Sequence, residues 1–188
     1  MKDTNLSVPM VLHQTRINLM FLLLLPLLLL VSPPTWAGPV TSWVMVRDNV
    51  TGLIWEVKTD DGSVHDKDNQ YTWYDSNSAT NGGDAGTPGD GTDTEDFIAA
   101  LNAESFGGHT DWRLPTLKEL DSIVNLGTSN PAIDTTYFPY TVSFKYWSGS
   151  SYAGSGVSAW GIRFTYGYNY DLVPQKSSSY YVRAVRGG

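Results

Sequence analysis

Gly108-His109-Thr110-Asp111-Trp112-Arg113-Leu114-Pro115-Thr116-Leu117-Lys118-Glu119-Leu120 is the stretch on which the fold turns. Thr116 to Glu119 spells a capping box directly after Pro115, with the hydroxyl covering an exposed N–H while the carboxylate reaches back. Leu117, Leu120, Ile123 and Val124 then fall at helical spacing, which predicts a helix buried on one side. Pro115 pushes Leu114 towards an extended backbone, so Trp112-Arg113-Leu114 arrives as strand or loop. Arg113 beside this helix start can pair with Asp111 or with loop carbonyls, and Trp112 offers a large surface to bury.

Upstream, Thr92-Asp93-Thr94-Glu95 reads as a second capping box, opening a helix to about Ala103 with Phe97, Ile98 and Leu101 on one face. Residues 43–55 read as a hairpin around Asp48-Asn49-Val50-Thr51-Gly52, whose Asn49-Val50-Thr51 is read as turn rather than sequon. Between these elements lies an acidic, glycine-rich segment, since ten of the 19 acidic residues fall between Asp60 and Asp96. Only Tyr71-Thr72-Trp73-Tyr74 interrupts it, as a short strand or an anchor on the core. Beyond Gly127 the pattern turns to short strands at 146–148, 159–165, 170–173 and 180–186. Trp160, Ile162 and Phe164 alternate, so one face of that strand is in the core. Helices first and strands after argue an α+β fold with mostly antiparallel pairing.

The first 37 residues stand apart. A leader carrying Lys2 and Arg16, the apolar run Met20–Val31 and the Thr35-Trp36-Ala37 site describe a secretory signal peptide. The expectation is therefore an exported chain, periplasmic, cell-surface or secreted, with no membrane insertion after cleavage. Residues 38–188 then form one domain. It holds 18 acidic against 10 basic residues and no cysteine. Thiol catalysis and zinc-thiolate sites are excluded, and the acidity argues against nucleic acid as a partner.

Several stretches together resemble the Lcl C-terminal domain family, the C-terminal domain of bacterial collagen-like adhesins. They are Arg47–Trp55, Tyr71–Asp75, Gly108–Leu120, Tyr146–Ser148 and Tyr181–Arg186. The resemblance implies a C-type-lectin-like fold, two helices packed on a twisted, mostly antiparallel sheet whose terminal strands meet. It implies adhesion as well, and some relatives bind sulfated polysaccharides. This domain's acidity counts against that ligand unless Lys145, Arg163 and Lys176 cluster. Many relatives carry a cysteine where this chain has Ala184, paired to one in the first helix, so no family disulfide carries over. The Trp-Arg-Leu-Pro-Thr segment also resembles formylglycine-generating enzymes, which act through cysteines that are absent here. Within these motifs Trp55, Trp112, Arg113, Trp147 and Arg183 are read as structural.

His109-Thr110-Asp111 invites a catalytic reading, but no nucleophile elbow and no histidine pair at ligand spacing accompanies it. The expectation is a protein that is not an enzyme. Nine of the 11 tyrosines lie between Tyr137 and Tyr181, among Ser, Gly and Asn, a composition suited to recognition. Trp160, Arg163, Tyr166, Tyr168, Asn169 and Tyr170 are the candidate residues for a glycan or protein ligand. In the acidic segment, Asp66, Asp68, Asp90 and Asp93 have spacings that suit calcium, the one candidate cofactor. Two alternatives follow: a calcium-dependent lectin-like module using the loop 60–96, and a recognition surface diversified by a retroelement. Self-association into a homo-oligomer is open to any of them.

Overall fold

Met45–Arg47 (β1) and Ile54–Glu56 (β2) pair antiparallel around a turn set by Asp48 and Gly52. Asp48 accepts the Val50 N–H at 2.8 Å and the Thr51 hydroxyl at 2.6 Å, while Gly52 takes a φ of 78°. The computed structural model describes residues 44–89, 91–167 and 173–187. β2 also pairs antiparallel with Val185–Arg186 (β5), so both ends of the described domain meet in one sheet of order β1–β2–β5. Lys145–Ser151 (β3) and Ala159–Arg163 (β4) make a second antiparallel sheet.

The described residues therefore hold two small sheets rather than one twisted sheet. The break lies in residues 180–184. Tyr181 bridges Tyr146 and exchanges backbone bonds with Lys145 and Trp147, but the Ala184 N–H turns to the Glu56 carboxylate at 3.0 Å. With that donor given to a side chain, the expected strand 180–186 keeps a ladder only at its last two residues. The strand expected at 170–173 lies outside the described residues except for Val173, which is not in a strand. A Cβ on Gly161 would come within 2.5 Å of the Tyr146 carbonyl, so this position in β4 needs glycine.

Thr94–Ala103 (α1) buries Phe97 and Leu101, as the spacing predicts. Its cap is Asp93 and not Thr92: the Asp93 backbone is extended, and its carboxylate accepts the Glu95 and Asp96 N–H groups at 2.8 and 2.9 Å. Leu117–Ser122 (α2) starts at Thr116 with the expected capping box and buries Leu120. It stops at Ser122, so Ile123 and Val124 pack on the core from the turn that follows. No helix of the described residues is long and apolar enough to cross a membrane.

The core has two parts. Trp55, Leu120, Phe138, Tyr146, Ile162, Phe164 and Val185 form one. Trp73, Phe97, Leu101, Trp112, Trp147, Val182 and Ala184 form the other. Ala184 is fully buried there, in the same apolar cluster as Phe97 and Leu101 of α1. Tyr71–Trp73 is an anchor: the Trp73 indole donates to the Ser148 carbonyl and Trp147 to that of Tyr71, each at 2.8 Å.

Trp112 is held on every side. Its indole donates to the Phe106 carbonyl, and its own N–H and C=O are clasped by the Asn102 amide, each bond at 2.9 Å. Arg113 makes a two-pronged pair with Glu119, both contacts at 2.7 Å, instead of pairing with Asp111. Glu119 is within reach because the capping box folds it back over Thr116, and Asp111 pairs with Arg186 instead. Trp112→Ala is expected to cost about 3–5 kcal/mol, the range for emptying a core of a large aromatic. Urea unfolding measures this, and a loss below about 1 kcal/mol would contradict the burial argument.

Candidate functional site: a basic and aromatic face on β3 and β4

Lys145 of β3 stands directly opposite Arg163 of β4, so the two cations share one side of the small sheet. Tyr180 comes from the neighbouring segment and lies under Lys145, whose Nζ is 5.0 Å from the ring centroid and 3.5 Å from the phenol oxygen. Phe144, 43% exposed, stands 6.3 Å from both Tyr180 and Tyr181. Arg163 also has a buried Nε without a partner among the described residues. After β4 the chain turns on itself, with the Tyr166 and Gly167 N–H groups donating to the Arg163 carbonyl. That turn carries Tyr166 outward, 50% exposed.

Of the predicted ligand residues, Arg163 and Tyr166 are thus consecutive parts of one turn. Trp160 is not with them. Three positions from Arg163 along a strand, it projects to the opposite face, where it packs edge-on against Tyr152 at 5.1 Å. Tyr168, Asn169 and Tyr170 lie outside the described residues. Lys176 does not join Lys145 and Arg163. It is buried, donates to the Asn81 carbonyl at 2.7 Å and to that of Asp84, and lies 4.3 Å from the Trp73 ring centroid. Burial lowers its pKa despite the carboxylates of Asp84 and Asp75. Lys176 is a post for the acidic loop, which also approaches the core so closely that a Cβ on Gly86 would meet the Trp73 carbonyl.

The predicted metal ligands separate. Asp93 is buried, its carboxylate accepts the backbone N–H groups of Gly89, Glu95 and Asp96 as the cap of α1, and it does not join the other candidate ligands. Asp90 lies outside the described residues. Asp66 and Asp68 do come together, with Asp60 as an unpredicted third, their oxygens within 4.8 Å of one another. Asp66 is itself a hub for the N–H groups of Asp61, Gly62 and Asp68. Burial works against its charge, yet these three donors hold its carboxyl below the usual range. The Lys67 ammonium already lies 3.1 Å from Asp60 and 2.6 Å from Asp68.

Sequence reasoning missed the charged cluster beneath β2. Glu56, Lys58 and Arg183 are almost wholly buried. The Glu56 carboxylate accepts from Lys58 at 3.0 Å, His65 at 2.9 Å and the Ala184 N–H at 3.0 Å. Burial alone would raise Glu56, but these donors outweigh it and keep its carboxyl below the ordinary value. Burial pulls Lys58 down, against the attraction of Glu56. The two nitrogens of His65 face Glu56 and Glu104, an arrangement that favours the doubly protonated ring as donor to both carboxylates. Burial opposes that charge, the two carboxylates overcome it, and the His65 pKa is raised above 6.5. The only hint in the sequence is the spacing of Glu56 and Lys58, which resembles a solvated strand face.

The sequence profile of the Lcl C-terminal domain matches residues 44–186, and the chain belongs to that family. The domain is accordingly adhesin-like and C-terminal in type. No curated protein and no solved structure matches the chain.

A raised His65 pKa makes stability depend on pH in one direction. The contribution of the charged ring is complete below about 6.5 and is lost as the pH rises through the higher folded-state value. His65→Gln should therefore destabilise most near pH 6 and progressively less towards pH 9. Urea melts of both proteins across that range measure it, and a constant difference would contradict the imidazolium assignment.

Proposed function

We propose that the protein is an exported, non-enzymatic adhesion domain with a C-type-lectin-like fold that holds a glycan or protein ligand on the β3–β4 face. The observation that carries this reading is the Lys145–Arg163 pair set among the partly exposed rings of Phe144, Tyr180 and Tyr166. Flat rings offer wide contact at small entropic cost, and fixed cations orient a polar partner. The lectin-like fold is supported by β1 and β5 flanking β2, which brings the ends of the described domain together. Export is supported by the signal-like leader, and adhesion by the family.

The test is a double variant, Arg163→Gln with Tyr166→Ser, on a glycan array. Bound signal should fall about tenfold or more, as the loss of aromatic and arginine anchors does. Stability should move by no more than about 1 kcal/mol, as for surface changes. Undiminished binding by the folded variant would place recognition elsewhere.

A second reading, a calcium-dependent module, is favoured by one observation, the convergence of Asp60, Asp66 and Asp68. A calcium ion there would displace the Lys67 ammonium, which is why the two readings are separable. Calcium should then raise the melting temperature of the natural protein but not of Asp68→Ala. Equal melts with calcium and with chelator would remove this reading.

A further inference from the structure

Lys176 is only 2% exposed, yet among the described residues no carboxylate lies within salt-bridge distance of its ammonium. The other buried lysine described, Lys58, rests against the Glu56 carboxylate at 3.0 Å. Lys176 instead donates to two main-chain carbonyls, that of Asn81 at 2.7 Å and that of Asp84, with the Trp73 ring centroid 4.3 Å from Nζ. The Asp84 and Asp75 carboxylates add attraction from further off. A buried ammonium is costly unless its N–H groups are met, and here they are met by carbonyl oxygens of the kind that receive a metal ion.

The loop is shaped around that ammonium. The Asp75 N–H donates to the Ala85 carbonyl at 3.0 Å, so residues 75–85 close on themselves. Inside the loop Gly82 and Gly83 take φ values of 71° and 94°, and the carbonyls on either side of them, those of Asn81 and Asp84, converge on Nζ. The side chains of these two residues are spent within the loop. The Asn81 amide donates to the Asp75 carbonyl at 3.3 Å and accepts the Gly83 N–H at 3.0 Å, while the Asp84 carboxylate accepts the Gly86 N–H at 2.8 Å. The lysine enters from a fixed base, because its own N–H donates to the Val157 carbonyl at 3.0 Å and its carbonyl accepts the Trp73 N–H at 2.9 Å.

We infer that residues 73–86 form a cation site whose ligand is a primary ammonium, supplied by the chain itself through Lys176, and that this tethered ion holds the loop closed. The donor set decides the class of ion. Calcium takes about six to eight oxygens, whereas here an indole face closes one side of the site and offers none. Two carbonyls and a ring suit an ammonium, which carries three N–H donors and is attracted to an aromatic face. The site is separate from the Asp60, Asp66 and Asp68 cluster and from the β3–β4 face, with which it shares no residue.

The experiment removes the ion and offers it back. Lys176→Ala deletes the ammonium and its stem beyond Cβ, and n-propylammonium has the shape and charge of what is deleted. In hydrogen–deuterium exchange followed by NMR, the Asp75, Gly83 and Gly86 amides should exchange about tenfold faster or more, as for the loss of charge-assisted hydrogen bonds that close a loop. The Leu120 and Val185 amides, bonded elsewhere in the fold, should keep their rates. Millimolar n-propylammonium should restore protection saturably, while 1-propanol, of the same shape without the charge, and calcium chloride should not. Lys176→Met keeps the stem without the charge, so it should loosen the same amides and not respond to n-propylammonium. In the natural protein the Lys176 Nζ protons should be visible at neutral pH in nitrogen-edited spectra and shifted upfield by the Trp73 ring, a measurement that decides the matter even if Lys176→Ala does not fold. Rescue by propanol or by calcium, native protection in Lys176→Met, or the absence of a protected Nζ signal would each overturn the assignment.

Discussion

A carboxylate without water must find its donors inside the protein, and Glu56 finds three from three different parts of the chain. Lys58 continues its own strand, His65 comes from the acidic loop, and the Ala184 N–H comes from the C-terminal segment. His65 passes the connection to Glu104 at the end of α1. Arg183 closes the far side, donating to the Glu56 carbonyl at 2.6 Å and to the Thr141 hydroxyl at 2.8 Å, with its guanidinium 4.8 Å from the Phe138 ring centroid. An ion cluster of this kind adds little net stability over an apolar core, but removing one member costs several kilocalories per mole because a buried charge is then exposed to no partner. The elements it ties cannot shift independently. In a chain with no cysteine, this cluster ties the C-terminal segment to β2, the acidic loop and the end of α1.

Legibility from sequence follows the range of the interaction. The hairpin turn, the face of α1 and the Thr116 capping box are encoded within a few residues, and each stands in the structure where its pattern put it. Competition between neighbours was harder to read. Thr92 and Asp93 both suit a cap, and the choice fell to Asp93 because its carboxylate also closes the loop through Gly89. Arg113 reaches loop carbonyls, those of Leu114 and Gly187, as its position allows, but its two-pronged pair is with Glu119 rather than Asp111, because the capping box brings Glu119 back over the helix start.

Long-range partnerships left no local trace. Glu56 and Lys58 alternate as outward residues of an edge strand would, and only the approach of residues 183–184 makes their side interior. The candidate ligand face was legible in part for the same reason. Composition points to the tyrosines, but the pairing of Lys145 with Arg163 is a matter of strand register, and Trp160 fell on the opposite side by simple alternation.

Charge gives the last step. A formal net charge of −7 suggests a surface that repels anionic or electron-rich partners everywhere. Yet three of the acids that make up this sum do not face solvent. Glu56 is enclosed by Lys58 and His65, Asp66 by backbone N–H groups, and Asp93 by the start of α1. Asp60 and Asp68 are partly neutralised by Lys67. Much of the acidity is thus employed in building the loop and the core, at positions remote in sequence from β3 and β4. Screening by salt limits what remains to about 8–10 Å. Lys145 and Arg163 stand opposite each other across β3 and β4, so a domain that is acidic in total still sets two cations side by side.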